Sequence, residues 1–92
     1  MSRISIKNLE QQVTRINEIE GMAIEPYTSI DGKITPNAGN YHLDQAYGGV
    51  KLVRMCQQGT GTTNITTGFI SKKELYYKLE AIITGLSMKV NP

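Results

Sequence analysis

The sequence predicts an α+β fold: a small antiparallel sheet of three to four strands, with N- and C-terminal helices packed on one face, in the order α-β-β-β-α. Three observations predict it. Apolar residues recur at steps of three and four near both ends, as they do on one face of a helix. Between them, prolines at 26 and 36 exclude a helix. The run at 50–56 is rich in β-branched residues and favours a strand. At 92 residues the chain has the length of a single domain spanning 1–92. A chain this short buries roughly 60–65% of its unfolded surface, so its stability margin is thin and homo-oligomerisation is a natural way to extend the core.

The first helix is expected over 6–19. Ile6, Leu9, Val13, Ile16 and Ile19 form its apolar face, with Ser5 as N-cap and Gly21 as the residue that stops it. In "GMAIEPYTSIDGKITPNAGN", Asp31-Gly32 is a two-residue turn signal, because both positions of such turns favour positive φ. A hairpin is expected, with strands at about 23–30 and 33–35 and Pro26 marking an edge. "TPNAGN" reads as a loop. "VKLVRMC", 50–56, reads as a buried strand, with Lys51, Val53 and Met55 on one face and Val50, Leu52, Arg54 and Cys56 on the other. Gly48-Gly49 before it suggests a bulge, or a place where something approaches the backbone. The Gly- and Thr-rich segment 57–69 reads either as a turn with a short strand around 63–67 or as a mobile loop. The second helix is expected over 72–85. Ser71 and Glu74 form its capping box, Leu75, Leu79, Ile82, Ile83 and Leu86 its apolar stripe, and Gly85 lies near its end, before a frayed tail.

Ten Lys or Arg against eight Asp or Glu leave a net charge of +2, too small to imply nucleic-acid binding by charge alone. The single Cys56 excludes an intrachain disulfide, and one Cys with one His cannot build a zinc site within one chain. No segment has signal-peptide or transmembrane character, so no membrane partner is expected and the chain reads as cytoplasmic. No cofactor is implied. His42 and Asp44 sit two apart, a spacing that on a strand can orient a general base, but Cys56 lies fourteen residues away with nothing around it that marks a reactive thiol. The reading is therefore not an enzyme.

"GNYHLDQAYGGVKLVR", 39–54, is the densest stretch. Asn40, Tyr41, His42, Asp44, Gln45 and Tyr47 precede a buried strand that carries Lys51 and Arg54. Tyrosine rings stack on bases, Asn and Asp read base edges, and Arg holds a phosphate bidentately. Gly48 and Gly49 leave room for a ligand at the backbone. The set reads equally as a ligand site or as a tyrosine-lined dimer interface. Lys72 and Lys73 open the last helix, where the macrodipole disfavours cations. They read as a wet face, or as an anion clamp beside free helix N–H groups.

Through "GNYHLDQAYGGVKLVRM" the chain resembles a group of small, uncharacterised proteins of tailed bacteriophages and prophages, and the resemblance extends over most of its length. It implies a phage origin and expression in the host cytoplasm, with no assigned activity. In element order, and in the lysines of "SKKELYYKLEAI", it is similar to the double-stranded RNA-binding domain. Three functions follow as expectations. One is a binding protein that sequesters a nucleotide-type anionic ligand, such as a host-defence signal, between subunits of a homo-oligomer. The second is a nucleic-acid-binding domain using Lys72, Lys73 and Lys78 with Arg3 or Lys7. The third is a factor that binds a host protein.

Overall fold

The structure is a computed structural model that describes residues 3–56 and 61–90. It has the expected α+β architecture. Helix α1 (Ile6–Glu20) begins at Ser5, whose Oγ accepts from Asn8 N at 3.2 Å while Asn8 Oδ1 accepts from Ser5 N at 2.9 Å. It ends at Gly21, which has φ 71°. There Gly21 N donates to Glu18 O at 3.2 Å and Met22 N donates to Asn17 O at 2.8 Å, the paired bonds of a Schellman motif.

Strands β1 (Tyr27–Ile30) and β2 (Lys33–Pro36) form a hairpin around Asp31-Gly32, with φ of 52° and 78°. This hairpin is a two-stranded sheet of its own, separate from the main sheet. Its first strand is shorter than the expected 23–30. Residues 23–26 spend their carbonyls elsewhere: Asn40 Nδ2 donates to Ala23 O and Ile24 O, Asn37 Nδ2 donates to Glu25 O, and the Asn37 backbone N–H donates to Pro26 O. Those bonds bend the chain and leave no ladder to extend.

The main sheet is antiparallel, in the order β3 (Tyr41–Ala46), β4 (Gly49–Met55), β5 (Thr62–Asn64). The expected bulge at Gly48-Gly49 is instead a tight turn. Ala46 pairs with Gly49, and Tyr47 and Gly48 between them have φ of 54° and 73°. Gly49 itself faces Phe69 and Ile70, where a Cβ would lie 3.0 Å from their atoms. The close approach foreseen at this glycine is thus made by the chain's own backbone. The third strand falls slightly before the expected 63–67, and residues 57–60, part of the loop reading, lie outside the described residues. Beyond β5, Thr66 Oγ1 accepts from Leu52 N at 3.0 Å and continues the ladder with a side chain.

Helix α2 (Lys72–Val90) runs past the expected end at 85, with Gly85 inside it. Of the tail expected to fray, residues 91–92 lie outside the described residues. Ser71 Oγ accepts from Glu74 N and donates to Glu74 Oε1, both at 3.1 Å. Both helices pack on the same face of the main sheet. The core joins Leu9, Val13 and Ile16 of α1 with Tyr41, Val50 and Leu52 of the sheet and Leu75 and Leu79 of α2. At about 2 kcal/mol for each fully buried aliphatic side chain, these residues dominate the favourable side of folding.

Candidate ligand-binding site at the hairpin tip

Strand alternation divides the dense stretch. Cross-strand pairs Tyr41–Arg54, Leu43–Leu52 and Gln45–Val50 have one phase, and Tyr41, Leu52 and Val50 belong to the helix-covered core. His42–Val53 and Asp44–Lys51 have the other and face away from the helices. Along the ladder, the nine candidate residues also divide into a group at the open end of the β3–β4 hairpin and a group toward its turn.

The group at the open end is structural in its contacts. Asn40 is fully buried and its amide holds the 23–24 carbonyls. Because Asn40 Nδ2 is committed to those carbonyls, Oδ1 faces His42 Nδ1 at 3.1 Å, which places the imidazole proton on Nδ1. Burial pushes the His42 pKa below the ordinary imidazole value, and the Asp44 carboxylate partly opposes that shift. Tyr41 is buried, and its N–H and C=O bond to the Asn17 side chain at 2.8 and 2.9 Å. Burial raises the Tyr41 pKa; Arg54 lowers it, and Glu20 adds to the rise. The Arg54 guanidinium lies 4.8 Å from the Tyr41 ring centroid, and its Nε donates to Gly39 O at 3.1 Å.

The group at the turn is exposed. Tyr47 is 94% exposed and meets Phe69 edge-to-face, with centroids 5.6 Å apart. Lys51 Nζ sits 4.5 Å from the Phe69 centroid, and Asp44 pairs across from Lys51. Val50 and Ile70 exchange backbone hydrogen bonds at 2.8 and 2.9 Å, and this bridge carries the start of α2 to the tip. As a result Lys72 joins Gln45, Ala46, Gly48, Gly49 and Val50 around a shallow hollow of about 360 Å³. Lys73 is exposed on the same first turn of α2.

The arrangement is an aromatic pair with Lys51 over one of its rings, beside a tight glycine turn whose hollow Lys72 lines. It suits a planar group with a negative charge: the rings offer a stacking face, and the ammonium groups offer point charges to phosphate. Phe69 completes it and was not among the sequence candidates; its only signal is its position two residues before the Ser71 cap. Among the described residues, no three His, Cys, Asp or Glu side chains group as metal ligands, and no helix is long and apolar enough to cross a membrane. Comparison with protein-family models, with curated proteins and with solved structures finds no match to the chain.

Proposed function

We propose that this chain is a non-catalytic binding protein for a planar anionic ligand of nucleotide type, taken at the hairpin tip. One observation carries the reading: Tyr47 is almost fully exposed in a left-handed backbone conformation that non-glycine residues rarely adopt. That conformation costs about 1 kcal/mol, and Tyr47 gains little burial in return. Presentation of the ring to a ligand accounts for it. Lys51 and Lys72 would meet the phosphate, and Gly48, where a Cβ would meet nothing within 4 Å, would let it approach. The hollow is shallow, so a second copy would complete the enclosure in a homo-oligomer. A nucleotide-type host-defence signal is the concrete ligand of this reading.

The test is calorimetric titration with nucleoside mono-, di- and triphosphates, beside native mass spectrometry of protein purified from a bacterial host. Tyr47→Asn relieves the turn strain, worth about 1 kcal/mol, and loses an aromatic pair worth about 0.5–1.5 kcal/mol. Stability is therefore expected to stay nearly constant while affinity drops. Equal binding by Tyr47→Asn and Lys51→Ala would place the site elsewhere.

A second reading, a nucleic-acid-binding domain, rests on the three-stranded antiparallel main sheet with both helices on one face and Lys72, Lys73 and Lys78 on α2, the β1–β2 hairpin being an insertion between α1 and that sheet. It predicts that log K for duplex RNA falls with log salt at a slope of about −0.9 per phosphate contacted. A flat response removes it. The third expectation, a host-protein partner, is recognised by a pulled-down protein with no small ligand bound.

A further inference from the structure

We infer that the outer edge of β3 is a docking site for an extended, lysine- or arginine-bearing segment of another protein, which pairs there as a fourth strand. β3 is the end strand of the main sheet. In an antiparallel ladder, alternate residues turn their N–H and C=O groups toward and away from the neighbouring strand. Those of Tyr41 point away from β4, because Asn17 holds both. Leu43 and Gln45 have the same phase in the unbroken β3–β4 register, so their N–H and C=O groups also face outward. They open onto a groove of about 310 Å³ between β3 and α1.

Sheet edges are commonly protected by proline, lysine, bulges or a covering element. Leu43–Gln45 has none of the first three, and Asn17 covers the edge only at Tyr41. Ile6, Val13 and Leu43 give the groove apolar wall. Glu10 and Glu25 give it charge, and no lysine or arginine lines it. An incoming strand gains backbone hydrogen bonds at Leu43 and Gln45, buries alternate side chains in the groove and sets its cations against the two carboxylates. A second copy of this chain fits less well. Two-fold antiparallel pairing of Leu43–Gln45 sets Asp44 opposite its own counterpart, and like charges directly opposite are destabilising.

The experiment is amide hydrogen exchange by NMR on the full chain with a six-residue peptide of alternating valine and lysine. Controls are the valine–glutamate peptide and a valine–lysine peptide N-methylated at alternate residues. The lysine peptide is expected to slow exchange at the Leu43 and Gln45 amides, and neither control is. The double variant Glu10→Lys/Glu25→Lys, exposed at both positions, is expected to weaken the lysine peptide about tenfold, near 1.4 kcal/mol, with the fold intact. Unchanged exchange at Leu43 and Gln45 overturns the docking site, and equal binding of the glutamate peptide overturns the cationic partner. Protection of both amides in a peptide-free dimer assigns the edge to a second copy and overturns the proposal.

Discussion

Asn17 is the position where one substitution should cost most for its size. It is fully buried on α1 and bonds both backbone groups of Tyr41, donating to the carbonyl and accepting from the N–H. In Asn17→Ala both partners stay buried and lose their bonds. Each such group costs about 1–3 kcal/mol, so about 3 kcal/mol for the pair is a moderate expectation. Alanine returns up to about 0.7 kcal/mol through helix propensity. The net loss is then about 2.5 kcal/mol, against a total of roughly 5–14 kcal/mol for a domain of this length. A shift of about 4–8 °C per kcal/mol converts that to a fall in Tm of about 10–20 °C. The assay is urea and thermal unfolding followed by far-UV circular dichroism, since the chain has no tryptophan. Gln11→Ala, exposed on the same helix, isolates the propensity gain and is expected to leave stability within about 0.5 kcal/mol. A loss under about 1 kcal/mol for Asn17→Ala, with the urea slope unchanged, would refute the reasoning that these bonds have no substitute.

Three further outcomes are expected. Thr66→Val keeps the shape of a buried side chain but strips Leu52 N–H of its acceptor, and should cost about 1–3 kcal/mol in the same unfolding assay. Gly21→Ala meets no neighbour within 4 Å, so its cost is that of the left-handed conformation alone, about 1 kcal/mol in urea unfolding. Because burial lowers the His42 pKa in the folded state, the unfolded chain binds the extra proton. Stability is then full above the unfolded value of about 6.5 and falls as pH drops below it, until the folded state protonates too; His42→Gln should flatten that slope below about pH 6.5.

The helices were legible because their signals are local. Ser5, Gly21 and the Ser71–Glu74 pair act within one turn, and the apolar spacing is read directly from the chain. Asp31-Gly32 announced its turn for the same reason. Tyr47-Gly48 did not, although its backbone also has two positive φ values, because an aromatic residue stands where Asn or Asp usually marks such turns. The extent of β1 was misjudged because it depends on Asn37 and Asn40, which capture carbonyls more than ten residues away. Asn17 and Gln12 sit on the buried face of α1, beside Val13 and Ile16, and their polarity disguised them. The candidate site was legible as a stretch of unusual composition, but not as a geometry. Alternation sends Tyr41 and Arg54 into the core face and Lys51 away from it, and Phe69 joins only through the Val50–Ile70 bridge.

The β1–β2 hairpin has a practical consequence. Its strands pair only with each other, and Asn37 clasps its base through Pro26 O, Glu25 O and the Thr28 hydroxyl. Nothing in the core cluster comes from it. Extra sequence spliced between Asp31 and Gly32 would therefore leave the helices and the main sheet undisturbed, since exposed turns tolerate insertion where buried backbone does not. That makes this turn the place to graft an epitope tag or a fluorescent reporter.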